Sequence, residues 1–145
     1  METVFLGGTI ALNNWRDLFI PKLLDQGIQL DQIINPIVEH WTPEIQEREK
    51  KIKKDENCLL VFVLGAPDSS KQEQKFVSAY SLYEAVSSLY VYPHRTLILI
   101  DTLGLDKRSA KGMNKIAQEI FDQHNSNICF TYTQLLFDIV ERMKQ

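Results

Sequence analysis

The chain has 145 residues and an ordinary globular composition, 44% hydrophobic, 10% aromatic and 24% charged, which excludes a disordered tail or a small disulfide scaffold. At roughly 150 residues per domain it makes one domain, large enough to bury a core without covalent staples. A net charge of -3, from 19 acidic and 16 basic residues, has the wrong sign for a general nucleic-acid binder.

Thr3-Val4-Phe5-Leu6 is a short apolar run stopped by Gly7 and Gly8, and it reads as a buried strand entering a tight turn. Trp15, Leu18, Phe19 and Leu23 recur at helical spacing, with Asn13 or Asn14 as the N-cap. Pro21 is expected to kink this helix or end it early. Gln32-Ile33-Ile34 forms a second short strand closed by Asn35-Pro36. Thr42 then opens a polar helix in which Pro43 suits the first turn and Glu44 and Glu47 suit the dipole. Its basic tail, Lys50-Lys51-Ile52-Lys53-Lys54, reads as a solvated helix face. Leu59 to Leu64 is a continuous apolar strand, as expected when both faces of a parallel strand are covered. Residues 65–75 are polar and unpatterned and read as a mobile loop. Leu82, Ala85, Val86 and Leu89 form a helical stripe, and residues 96–100 another continuous strand ended by Asp101. A helix around Met113 to Phe121, a last strand at residues 127–130 and a helix from Leu135 to Met143 complete the chain.

Five strands each followed by a helix imply an α/β fold: a three-layer, doubly wound, five-stranded parallel sheet of flavodoxin-like order, occupying residues 1–145 as one domain. No stretch approaches the roughly 20 apolar residues that span a bilayer, and the N-terminus does not resemble a signal peptide, so a cytoplasmic location without membrane partners is expected. Cys58 and Cys129 each adjoin an apolar run and form no CxxC pair, so both read as small buried hydrophobes. His40, His94 and His124 lack ligand spacing, and no metal site is expected.

In such sheets ligands bind beyond the carboxyl ends of the strands, which directs attention to Gly7, Gly8, Thr9, Asn35, Asp101 and the helix bearing Glu84. Gly7 and Gly8 permit a sharp turn whose N–H groups can face a ligand, with the Thr9 hydroxyl beside them; a plain strand-to-helix turn has the same residues. Glu84 is the sole charged residue from Phe76 to Pro93 and lies off the apolar stripe. Near a helix start, among Tyr80, Ser81 and Tyr83, it would be held ionised and suits a nucleophile or base; a glutamate stabilising its own helix fits the same placement. Asp101 is a strand-end carboxylate or the first residue of an Asp-Thr-Leu-Gly turn. Trp41 offers a stacking face for a planar base, or packs on the core. A receiver domain and a nucleophile-elbow hydrolase are excluded: Gly-Gly-Thr and Gly-Ala-Pro replace the acidic residues of the first, and no GxSxG exists for the second.

Val4-Phe5-Leu6-Gly7-Gly8-Thr9, Trp15-Arg16, Ile20-Pro21, Asn35-Pro36 with Trp41, and Tyr80-Ser81-Leu82-Tyr83-Glu84-Ala85 follow one another in an order that resembles the nucleoside 2-deoxyribosyltransferase-like family. The resemblance spans most of the chain and implies the α/β architecture inferred above. It also implies that Glu84 attacks C1′ of a 2′-deoxynucleoside, that a deoxyribosyl ester forms, and that a second base or water resolves it. The family signature Asp-x-Gly-Thr-x-x-Glu falls on residues 78–84, where Ser78 replaces the aspartate, Tyr80 the glycine and Ser81 keeps a hydroxyl. A serine at position 78 is similar to the branch that hydrolyses deoxynucleoside 5′-monophosphates, where it helps hold phosphate. The expectation is therefore a cofactor-independent transferase or N-glycoside hydrolase with Glu84 as nucleophile. Gly7, Gly8, Thr9, Asn35, Trp41, Ser78, Ser81 and Asp101 would contact a nucleoside or nucleotide, in a homo-oligomer whose neighbours complete the site. Hydrolysis of another nucleotide such as NAD is the alternative within enzymes. A catalytically silent nucleotide-binding or signalling module is the alternative of another class.

Overall fold

Five strands, β1 (Thr3–Gly8), β2 (Ile33–Ile34), β3 (Cys58–Leu64), β4 (Thr96–Ile100) and β5 (Ile128–Cys129), pair in parallel in the order β2-β1-β3-β4-β5. The computed structural model describes residues 1–9, 15–37, 42–66 and 77–144. Within them lie the helices α1 (Trp15–Asp25), α2 (Pro43–Lys54), α3 (Ala79–Val91), α4 (Lys107–Gln123) and α5 (Tyr132–Met143). β3 is the centre of the sheet, buried along its whole length, and its register sets Gly8 opposite Val63 and Leu64 opposite Ile100.

Alternation along the strands divides the core in two. Val4, Leu6, Val61, Val63, Leu97 and Leu99 face α1 and α5, meeting Phe19, Leu23, Leu135 and Ile139. Phe5, Leu60, Phe62, Leu64 and Ile98 face the other way, toward Ala85 and Leu89 of α3 and Met113, Ala117 and Ile120 of α4, with Ile52 of α2 packed at the margin. The result is the three-layer, flavodoxin-like arrangement expected of alternating strands and helices. Both cysteines are buried and free, and burial pushes each thiol up from its usual range. Among the described residues no helix is long and apolar enough to cross a membrane.

Two local expectations are corrected. Gly7 and Gly8 belong to β1 rather than to a turn after it. A Cβ at Gly7 would approach the Phe5 ring to 2.7 Å, and one at Gly8, where φ is +105°, would meet the Val63 carbonyl oxygen at 2.1 Å. Close packing of strands and rings, then, demands both glycines. Pro21 neither ends α1 nor shortens it, for the helix runs on to Asp25. The carbonyl that Pro21 deprives of a partner belongs to exposed Asp17, where solvent satisfies it. As expected, Glu84 stands a little over one turn into its helix: Ser78 caps α3 by accepting from the Ser81 N–H, so the helix begins at Ala79. Asn13, Asn14 and most of residues 65–75 lie outside the described residues; Gly65 and Ala66 are buried.

Candidate functional site

The carboxyl edge of the sheet is bound together by its own polar groups. The Thr9 hydroxyl donates to the Gly65 carbonyl (3.1 Å) and accepts from the Gly65 N–H (3.0 Å), while the Thr9 N–H donates to Val63 O (2.9 Å). Arg16, only 2% exposed, donates from Nε to Leu6 O (2.8 Å) and from a terminal nitrogen to Thr9 O (3.1 Å). Burial lowers its pKa to about 10, with Asp17 acting weakly the other way, so the guanidinium stays charged at neutral pH. It faces the carbonyls of the β1 end and lies 4.7 Å from the Trp15 ring. The expected cradle of free N–H groups at Gly7 and Gly8 with the Thr9 hydroxyl is thus a cation-braced strand end, because both glycines lie in β1 and the Thr9 N–H and hydroxyl already join β1 to β3.

Asp101 follows β4 and serves the face covered by α1 and α5. Its carboxylate accepts from the Leu103 N–H (3.0 Å) and the Tyr132 hydroxyl (3.1 Å). Burial first, then the Asp101 charge, pushes the Tyr132 phenol well above its ordinary range. The pair borders a cavity of about 170 Å³ with Trp15, Phe19 and Lys22, and the buried Trp15 Nε1–H has no acceptor among the described residues. Asn35, exposed at the end of β2, accepts from the Ile37 N–H in a turn of its own making. Trp41 lies outside the described residues.

Glu84 serves the opposite face. α3 starts at the carboxyl edge and runs back along the sheet; Glu84 is its sixth residue, about 7.5 Å of helix rise beyond Ala79. Its side chain is 14% exposed, and its Oε2 accepts from Nζ of Lys53, itself 18% exposed, in the last turn of α2. The Lys53 ammonium also stands 5.9 Å from the Phe5 ring, level with the middle of β1. Buried Arg95 fixes the lysine's backbone, donating to both Lys53 O and Cys58 O and so tying the end of α2 to the start of β3. A third charged group adjoins. Burial raises the pKa of Glu49 on α2, the Glu84 charge raises it further, and Lys53 and Arg48 partly oppose them.

Glu84 and Lys53 edge a groove of about 210 Å³ between α2 and α3, whose walls include Lys50, Lys54, Tyr80, Tyr83 and Ser87. Small-molecule pockets run from roughly 300 to 1,000 Å³, so a substrate in this open groove would be enclosed only in part. The expected residues therefore separate: Gly8, Asn35 and the capping Ser78 and Ser81 share the carboxyl edge, Asp101 is bonded into the α1–α5 side, and Glu84 faces α2. Glu49 and Lys53 were invisible to sequence reasoning, because what selects them is the approach of α2 to α3; the acid-then-base order of α2 equally suits helix-dipole chemistry and a solvated helix face. Among the described residues no group of His, Cys, Asp or Glu is arranged to hold a metal ion. No family model, curated protein or solved structure gives a significant match to the chain.

Proposed function

We propose that the protein cleaves the N-glycosidic bond of a 2′-deoxynucleoside or its 5′-monophosphate, passing the deoxyribosyl group to a second base or to water through an ester on Glu84. The observation that carries this reading is a solvent-shielded carboxylate paired with a lysine at the edge of a groove with aromatic walls, with Glu49, a carboxyl of raised pKa that feels the Glu84 charge, on the adjoining helix. Lys53 occupies only Oε2, and Oε1 has no hydrogen-bond partner among the described residues. Oε1 attacks C1′ as the C–N bond breaks, and the departing base takes the bonding pair and a proton from Glu49. Glu49, now ionised, accepts the proton of the water or base that attacks C1′ and releases Glu84. Two carboxyl groups in separate roles, one nucleophile and one acid–base, are the requirement for retaining glycoside chemistry.

Within the groove Lys50 and Lys54 favour a phosphorylated substrate over a bare nucleoside, since clustered ammonium groups concentrate anions. The test is a panel of deoxynucleosides, deoxynucleoside monophosphates and NAD, assayed for free base by chromatography. Release from a deoxynucleoside or its monophosphate is the expected result. Binding without release from any member of the panel identifies a nucleotide-binding module instead.

A further inference from the structure

The face of the sheet opposite Glu84 carries a cavity of its own. Trp15, Leu18, Phe19 and Lys22 lie at i, i+3, i+4 and i+7 on α1 and so share one side of the helix, which with Asp101 and Tyr132 borders about 170 Å³. A space of about 150 Å³ admits a benzene-sized ring, so an occupant has one ring and few other atoms. The walls suit a flat molecule: the ring centroids of Trp15 and Phe19 stand 5.8 Å apart and those of Phe19 and Tyr132 6.4 Å, both pairs tilted. Leu18, 68% exposed, adds apolar surface that the protein itself leaves uncovered.

The hydrogen bonds still to be made around this cavity define the polarity of what fits it. Each oxygen of the Asp101 carboxylate is engaged, one by the Leu103 N–H and the other by the Tyr132 hydroxyl. Two donors remain. The Trp15 Nε1–H is buried and has no acceptor among the described residues, a state that costs a protein stability unless something supplies one. Lys22 is exposed and has no ion-pair partner among the described residues. Side chains on a helix tilt toward its N-terminus, which inclines Lys22 toward Trp15. The Arg16 guanidinium, 4.7 Å from the Trp15 ring, adds a second positive charge, so the surroundings are net positive despite Asp101. Unmet donors and positive charge call for acceptors and negative charge.

We infer that this cavity binds a compact planar carboxylic acid, its carboxylate against Lys22, its ring among Trp15, Phe19 and Tyr132, and a further acceptor atom on the Trp15 N–H. The site lies across the sheet from Glu84, and the inference stands apart from the catalytic reading.

Titration of the whole ¹⁵N-labelled chain with pyridine-3-carboxylate at neutral pH, followed by NMR, tests it. The chain has two tryptophans, and Trp41→Phe assigns the indole resonance of Trp15. For a ligand of about nine non-hydrogen atoms the usual binding efficiency corresponds to a Kd on the order of 1 mM. The Trp15 indole proton is expected to move downfield as it gains an acceptor. Benzoate, which lacks the ring nitrogen, is expected to bind about fivefold more weakly, and Lys22→Met to weaken pyridine-3-carboxylate by about the same factor. Pyridin-3-ylmethylamine, of like shape but cationic, is expected not to bind at about 20 mM. A Trp15 resonance that pyridine-3-carboxylate leaves unmoved at about 20 mM overturns the inference, the cavity then holding only water. Equal binding of the amine, equal binding of benzoate, or an affinity that Lys22→Met leaves unchanged overturns it as well.

Discussion

On the face covered by α1 and α5, Arg16, Asp101 and Tyr132 turn their polar atoms onto the backbone or onto one another in closed sets; on the face covered by α2, α3 and α4, Glu84 and Lys53 meet across two helices and leave a carboxylate oxygen without a partner among the described residues. Both arrangements bury charge. The first completes hydrogen bonds that a strand end or turn requires, and a change there is felt as stability. The second places a paired ion beside a groove, with a carboxyl of raised pKa nearby, and a change there should be felt as chemistry. Ionisable groups near a strand edge thus become informative once the number of bonds each has left to make is known.

The difference can be broken in four places. Glu84→Gln keeps size and a hydrogen-bond acceptor for Lys53 but removes the nucleophile, so base release should fall by roughly a thousandfold or more, while the shielded Lys53 ammonium loses its counter-charge and urea unfolding should lose about 2 kcal/mol. Arg16→Met leaves the Leu6 and Thr9 carbonyls without their buried donor; a loss of about 3 kcal/mol in urea unfolding is expected. Asp101→Asn and Tyr132→Phe each disturb one half-buried hydrogen bond and should cost about 1 kcal/mol, with base release kept within about twofold. If Asp101→Asn folds normally yet loses turnover, the two faces serve one site and the division drawn here is wrong.

The smallest effect on stability concerns Glu49. Its folded pKa is raised above the unfolded value near 4.5, so the folded state binds the extra proton. The associated stability is fully present below that value and is lost as pH rises through the raised pKa. Glu49→Gln should therefore raise the thermal midpoint slightly at pH 7, and the gain should vanish below pH 4.5. A gain that grows as pH falls would contradict the assignment.

Much of the architecture was legible because it is local. The unbroken apolar runs at β3 and β4 report burial on both faces, and Thr42-Pro43 marks the start of α2 as a cap followed by a first-turn proline. The errors arose where a residue has two uses. Gly7 and Gly8 punctuate turns, yet here they admit the Phe5 and Phe62 rings and the Val63 backbone; Pro21 breaks helices, yet here the freed carbonyl faces solvent. Glu84 was identifiable as a lone charge on a neutral helix, while its partners were not. Lys53 sits in a basic run that resembles any solvated helix end, and only the packing of Ile52 and the Arg95 brace turns that one lysine inward.

The claim that Glu84 forms a covalent bond to the sugar is open to direct measurement. The protein is incubated with a 2′-fluoro-2′-deoxynucleoside 5′-monophosphate or the matching nucleoside, in which fluorine slows breakdown of the ester, and the intact and digested chain is weighed by mass spectrometry. The account predicts one added fluorodeoxyribosyl group, located on the peptide carrying Glu84 and absent from Glu84→Gln. A label on another residue, or base release by the wild type that Glu84→Gln matches, would contradict it.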